Sequence, residues 1–243
     1  MLQPVMLQPI LIVLHQEAST PGRVGHALRA LGFPLDIRRP RFGDPLPETM
    51  AGHAGAIIFG GPQSANDEED FIRREIEWIK VPIDENKPYL GICLGAQMMA
   101  RLLGAKVDFH PEGHVEVGYY PIRPTPLGFE MCRTWPQHVY QWHRQGFTLP
   151  QGGELLAEGE VFPVQAFRYG SAYALQFHPD VTHATMCRWT TRGQARMELP
   201  GAKPRAQHFA DRAVYDFDAR AWLASFLGHW LRLPEAAPTA IAS

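Results

Sequence analysis

Tyr89-Leu90-Gly91-Ile92-Cys93-Leu94-Gly95-Ala96-Gln97-Met98-Met99-Ala100-Arg101-Leu102-Leu103 is the stretch whose reading decides the fold. Tyr89 to Ile92 is a short apolar run that reads as a buried strand, and Ala96 to Leu103 continues as a helix closed by Gly104. A buried strand feeding directly into a helix is the repeating unit of a parallel sheet covered on both faces. The same alternation extends upstream. Ile10 to Leu14 reads as a strand, and Thr20-Pro21-Gly22 opens a helix through Val24, Ala27, Leu28 and Leu31. Leu35 to Arg38 is a second strand, and Gly55 to Phe59 is a third that stops at Gly60-Gly61-Pro62. Glu68 to Lys80 carries Phe71, Ile72, Ile76 and Ile79 at the spacing of one helix face.

Downstream the pattern changes to short strands between Pro and Gly: Val115 to Ile122, Val139 to Trp142, Val164 to Phe167 and Tyr173 to Phe177. These read as antiparallel, or as mixed pairing at the sheet edge. A helix follows over Val181 to Arg192, then a Pro/Gly-containing stretch from Leu199 to Pro204, then a last helix over Ala219 to Leu233. Trp222, Leu223, Phe226 and Trp230 give that helix a core-facing stripe. The expectation is one α/β domain over residues 10–233, with a central, mostly parallel but mixed sheet and helices on both faces. Residues 1–9, in which MLQP occurs twice, read as an N-terminal extension, and 234–243 as a disordered tail.

The chain has 243 residues, 45% of them hydrophobic, and 23 basic against 25 acidic side chains, a composition of soluble globular domains. Only Lys80, Lys87, Lys106 and Lys203 are lysines, and the arginines are scattered, so neither a nucleic acid nor a membrane surface is expected as a partner. Ile10 to Leu14 is far short of the ~20 apolar residues that span a bilayer, and no basic segment precedes it, which predicts a cytoplasmic protein. Cys93, Cys132 and Cys187 form no CxxC pair and no disulfide framework. Cys132 and Cys187 read as packing residues. His110 and His114 stand four apart, but Pro111 and Gly113 oppose a helix there, and neither a metal nor a cofactor is expected.

Gly91-Ile92-Cys93-Leu94-Gly95 fits G-x-C-x-G, the cysteine form of a nucleophile elbow, at a point where strand meets helix. The flanking glycines suit a strained turn in which a Cβ would collide with its neighbours, and a thiol at a helix N-terminus is favoured in its reactive ionised form. Eighty-five residues on, Gln176-Phe177-His178-Pro179-Asp180 places a histidine and a carboxylate after another strand. His178 is a candidate base for Cys93, with Asp180 orienting its second nitrogen. Acyl transfer creates an oxyanion, for which the backbone N–H groups of Gly61 and Leu94 are candidate donors.

With Gly60-Gly61-Pro62, Gly91 to Gln97 and Gln176 to Asp180 in this order and spacing, the sequence resembles the class I glutamine amidotransferases. The likeness runs from Ile10 to Thr191 and is greatest to stand-alone members similar to the glutaminase domain of GMP synthase. The resemblance implies a flavodoxin-like α/β fold, a Cys-His-Glu triad, and hydrolysis of a γ-glutamyl amide through a thioester with release of ammonia to a synthetase partner. It implies Cys93 as nucleophile, His178 as base and Gln97 as a holder of the substrate glutamine. Val115 to Tyr119, with Glu116 and Gly118, resembles a strand beside the substrate, and Gln141-Trp142-His143 resembles the W-H segment near the pocket, which adds His143. Two positions depart from the pattern: Asp180 stands where the family usually has Glu, and Arg144-Gln145 follow the W-H segment where Gly-Asp is common. No ATP-pyrophosphatase domain is read in these residues, so the chain is not expected to aminate a nucleotide alone.

Three functions follow as expectations: a cysteine hydrolase of glutamine supplying ammonia to a separate acceptor, a stand-alone γ-glutamyl peptidase, or a catalytically silent regulatory or binding subunit. Intact Cys93 and His178 favour the hydrolases.

Overall fold

The computed structural model describes residues 7–233; the first copy of MLQP and the segment 234–243 lie outside them. Strands β1 (Ile10–Val13), β2 (Leu35–Arg38), β3 (Gly55–Ile58) and β4 (Tyr89–Ile92) alternate with helices α1 (Gly22–Ala30), α2 (Asp70–Trp78), α3 (Lys80–Asp84) and α4 (Leu94–Leu102). Then come β5 (Val107–Phe109), β6 (Glu116–Pro121), β7 (Arg123–Pro124), α5 (Pro126–Met131), β8 (His138–His143), β9 (Gln145–Phe147), β10 (Glu154–Glu158), β11 (Val164–Tyr169) and β12 (Ala172–Leu175). Helices α6 (His183–Arg192) and α7 (Arg205–Trp230) complete the order.

Eight strands form the main sheet in the order β2-β1-β3-β4-β12-β11-β10-β7. The first five are parallel to one another, and β11, β10 and β7 continue the sheet antiparallel to their neighbours. Helices cover both faces, as the burial of β1 shows. Ile10 and Ile12 pack with Val24 and Leu28 of α1 and Trp222 and Phe226 of α7, whereas Leu11 and Val13 pack with Phe71 and Ile72 of α2 and Met98 of α4. All four β1 side chains are fully buried, which is why the strand reads as a continuous apolar run and not as an alternation. The 2-1-3-4 strand order is that of flavodoxin-like sheets, whose ligands sit at the carboxyl ends of the strands.

The region 105–176 divides. Beyond the strands that extend the main sheet, β5 pairs with β9 and β6 pairs with β8 in two separate antiparallel ribbons. Strand β12 ends at Leu175, two residues before the expected end, which leaves Gln176 to Asp180 free to form the loop that carries His178. The helix expected over Glu68 to Lys80 is shorter and is followed by a separate turn of helix, α3, with Pro82 in its first turn, where no intrahelical N–H bond is lost. Helix α7 begins fourteen residues before the expected Ala219, with only His208 and Asp216 buried in the added part. Among the described residues no helix is long and apolar enough to cross a membrane.

Candidate active site

Strand β4 delivers Cys93 to the carboxyl edge of the sheet, where its backbone takes φ 51° and ψ −102° before α4 begins at Leu94. A non-glycine residue in that region costs on the order of 1–3 kcal/mol, so the surroundings must hold it there. They do so by close approach: a Cβ at Gly95 would stand 2.1 Å from the Ile58 carbonyl oxygen of β3. Helix α4 therefore lies directly on β3 and the turn has no room to relax. Cys93 is 6% exposed, buried but open to a cavity on each side.

The loop after β12 brings His178 to the same point. Its main-chain N–H donates to Tyr140 of β8 at 2.8 Å, its ring packs edge-on against Trp189 of α6, and its Nδ1 lies 3.1 Å from Asp180 Oδ1. The Asp180 carbonyl accepts the N–H of Arg23 in α1 at 2.9 Å, which fixes the backbone from which the short carboxylate reaches the ring. Burial disfavours the imidazolium, but the facing Cys93 and Asp180 outweigh it and raise the His178 pKa. Gly60 explains how ring and thiol fit together: a Cβ there would be 2.7 Å from His178 Cε1 and 3.5 Å from Cys93 Cβ.

Gly61 and Leu94 both line a cavity of about 400 Å³ next to Cys93, and among the described residues neither amide donates to an acceptor. Gln97 and His143 line the same cavity. Glu116 does not reach it. Its Oε2 lies 2.9 Å from His143 Nε2 and 2.9 Å from Gln165 Nε2, behind the wall. His143 Nδ1 is 3.0 Å from the Gln145 carbonyl, which also accepts Gln97 Nε2 at 2.8 Å, so a buried chain of contacts links Glu116 to Gln97. Gly118 lies away from the cavity, against Lys203 and His208. Arg144, the cation at the second departure from the family pattern, lines the cavity mouth.

Some neighbours of the site were not singled out in the sequence. His15, fully buried at the end of β1, lies 3.2 Å through Nδ1 from the Gly60 carbonyl and 2.8 Å through Nε2 from Glu75 of α2. Neither residue carried a signal of its own, a lone histidine after a strand and a glutamate in an amphipathic helix being ordinary. Arg196, Arg188 and Trp189 gave none, because their approach to Cys93 depends on how α6 docks. Cys132 is buried in the core, but Cys187 is half-exposed on α6 beside His183, so it is not the packing residue that was expected. His110, Glu112 and His114 each place a ligand atom within 4.8 Å of the others, and the Glu112 N–H donates to His110 Nδ1.

A model of the family described as glutamine amidotransferase class-I matches residues 13–191. The chain is 33% identical over 184 residues to the glutamine-hydrolysing GMP synthase of Paraburkholderia phymatum, covering 66% of this chain and 32% of that enzyme. It is 29% identical over 180 residues to the glutamine amidotransferase-like protein YfeJ of Salmonella typhimurium, covering 70% of this chain and 74% of YfeJ. The structure of a glutamine amidotransferase from Methylobacillus flagellatus superposes with a TM-score of 0.86 at 24% identity, covering 93% of this chain and 95% of that one. The chain spans about a third of the length of the GMP synthases it matches.

Proposed function

Because the chain belongs to the class I glutamine amidotransferases, we propose that it hydrolyses the γ-glutamyl amide of glutamine or a related γ-glutamyl compound, with Cys93 as nucleophile, His178 as base and Asp180 as orienting acid. Cys93 Sγ attacks the γ-carbonyl carbon after its proton passes to His178, and the Gly61 and Leu94 amides stabilise the oxyanion. The C–N bond then breaks, its electron pair goes to nitrogen, and the proton on His178 goes with it. Water attacks the γ-glutamyl thioester, releasing glutamate and restoring the thiol. The released ammonia serves a separate acceptor enzyme, a role supported by the likeness to the glutamine-hydrolysing part of GMP synthases.

One observation carries this reading: a cysteine held at φ 51° stands beside a His178–Asp180 pair and opens on a polar cavity of about 400 Å³. That cavity suits an amino-acid head group, since it offers carboxylate at Asp67 and guanidinium at Arg144 and Arg196. An intact His178–Asp180 pair opposes a catalytically silent subunit. The test is ammonia release from glutamine, together with intact-mass detection of the adduct formed by a γ-glutamyl diazoketone. Parent protein is expected to gain one adduct at Cys93 and to release ammonia, and Cys93→Ala to do neither. Turnover that survives in Cys93→Ala overturns the mechanism.

A further inference from the structure

The Gly61 amide sits on a segment with few ties to the rest of the fold. The Phe59 N–H makes the last sheet bond, to the Val13 carbonyl at 3.1 Å, and the chain is next tied down where the Ser64 N–H donates to Asp67 at 2.8 Å. Between these points, among the described residues, one hydrogen bond is made, from His15 Nδ1 to the Gly60 carbonyl at 3.2 Å. Pro62 has no N–H to offer. Gly61 must lack a side chain, because a Cβ there would stand 2.9 Å from both His15 Cβ and Leu94 Cδ2. The same lack frees its backbone: glycine takes positive φ about as readily as negative, so the peptide between Gly60 and Gly61 can rotate at small cost.

The Gly60 C=O and the Gly61 N–H belong to one planar trans unit, in which they point in opposite directions. His15 lies behind the loop: it is fully buried and lines neither cavity beside Cys93, whereas Gly61 lines both. Holding the carbonyl back towards His15 therefore turns the Gly61 N–H forward to the cysteine. A carbonyl only accepts, so Nδ1 carries a proton. Nε2, 2.8 Å from Glu75 Oε2, is bonded either as imidazolium to carboxylate or as imidazole to carboxyl, and in both forms Nδ1 keeps that proton. Glu75 anchors the far edge of the ring, which cannot then turn away from Gly60. Packing does not account for the pair. Both side chains are fully buried, Glu75 Oε1 has no partner among the described residues, and such a pair adds little stability over apolar side chains of the same size.

We propose that His15, anchored by Glu75, is a positioning residue that latches the Gly60–Gly61 peptide, so that the Gly61 N–H stays aimed at the oxyanion formed beside Cys93. The inference rests on the cysteine hydrolase proposed above and names what holds its oxyanion donor in place. As the bond from Cys93 Sγ to the γ-carbon forms, the thiol proton passes to His178 and the carbonyl π pair moves onto oxygen, where the Gly61 N–H meets it. With the latch open the peptide turns over, and the Gly60 carbonyl oxygen faces the developing negative charge in place of a donor. Gln97 and the other groups of the first cavity are untouched, so substrate still binds. His178 and Asp180 are untouched too, so the thiol still ionises.

Two variants separate the nitrogens of His15. Asn places its NH₂ close to the position of Nδ1 and keeps the donor to Gly60, while Gln reaches the position of Nε2 and keeps the contact with Glu75 only. The experiment measures kcat and KM for glutamine and γ-glutamyl-4-nitroanilide. Beside them it follows alkylation of Cys93 by iodoacetamide, read by peptide mass, a substitution at saturated carbon that forms no oxyanion. His15→Gln is expected to lower kcat by about 10- to 100-fold, less than deleting an oxyanion donor outright, with KM and alkylation rate within about twofold of the parent. His15→Asn is expected to stay within about 5-fold of the parent in kcat, the remainder being the looser hold without Glu75. Thermal midpoints show whether each variant is folded. Should either unfold, the parent decides: ¹⁵N-histidine NMR is expected to show His15 Nδ1 protonated near neutral pH, its signal assigned by its shift in the isosteric Glu75→Gln. A His15→Gln variant as active as the parent, equal losses in Gln and Asn, a loss shared by KM or alkylation, or an unprotonated Nδ1 overturns the latch and leaves the cysteine mechanism standing. A parent that turns over neither substrate overturns the hydrolase, and the latch with it.

Discussion

Asp180 reaches His178 Nδ1 at 3.1 Å from a backbone that the Arg23 N–H holds through the Asp180 carbonyl. The side chain is one methylene shorter than the glutamate its family pattern leads one to expect, and the loop supplies the reach. Asp180→Asn keeps the shape but can present an NH₂ to the ring and so favour the wrong tautomer, a change that costs about 10⁴-fold in a serine protease triad. A thiol ionises more readily than a hydroxyl and depends less on its base, so the expected loss is about 10- to 1000-fold in turnover. Asp180→Glu is expected to keep partial or full activity. Turnover on a γ-glutamyl substrate at several pH values checks both, and an Asn variant as active as its parent removes Asp180 from the site. The pairing of Cys93 with His178 was legible because strand, turn and helix signals flank both residues. His15 was not, because a lone histidine after a strand becomes informative only once Gly60 and Glu75 are seen on either side of it.

The elbow exists because α4 lies against β3 with no side chain between them. Gly95→Ala would put a Cβ 2.1 Å from the Ile58 carbonyl oxygen, a backbone atom that cannot swing aside. The helix must then move off the sheet and take Leu94 and Cys93 with it. The expected outcome is a loss of about 1–3 kcal/mol, the usual cost of overpacking, read as a lower thermal midpoint with slower alkylation of Cys93. An unchanged midpoint would show that the turn relaxes at no cost. Elements with one dominant period were visible in the sequence, among them β2, an alternation over Leu35–Arg38, and β4, a buried run over Tyr89–Ile92, both with the expected bounds. The first half of α7 was not visible. Arg205 to Asp218 is polar on most of its circumference and is helical because it crosses β6 and β8, where Tyr119 approaches Asp216 and Tyr140 approaches His208. The short strands β5, β7 and β9 were missed for a related reason: two or three residues carry no period, and pairing with a distant partner makes them strands.

Across the whole molecule, buried histidines set how stability varies near neutral pH. Burial lowers the pKa of His208, and shallower burial that of half-buried His138, below the ordinary histidine value of about 6.5. The unfolded chain therefore takes up protons there before the folded one does, and stability falls as pH drops below about 6.5. His178 acts in the opposite sense: its raised pKa gives stability that is full below about 6.5 and is lost as pH rises towards its folded value. Depressed carboxylates such as Asp36, held by Arg38, titrate below about 4 and leave this window clear. His208 isolates the acid limb, because it is fully buried, with Nε2 3.0 Å from the Lys203 carbonyl and Nδ1 3.0 Å from the Tyr140 hydroxyl. Gln at this position can donate to the first and accept from the second without titrating. The parent Tm is expected to fall between pH 7 and pH 5, by about 2–4 °C for each kcal/mol of stability lost in a domain of this size. His208→Gln is expected to flatten that fall, and His178→Gln to flatten the decline above pH 7. Calorimetric scans at half-unit pH steps read both limbs, and an acid limb equally steep in His208→Gln assigns the loss to groups other than this histidine.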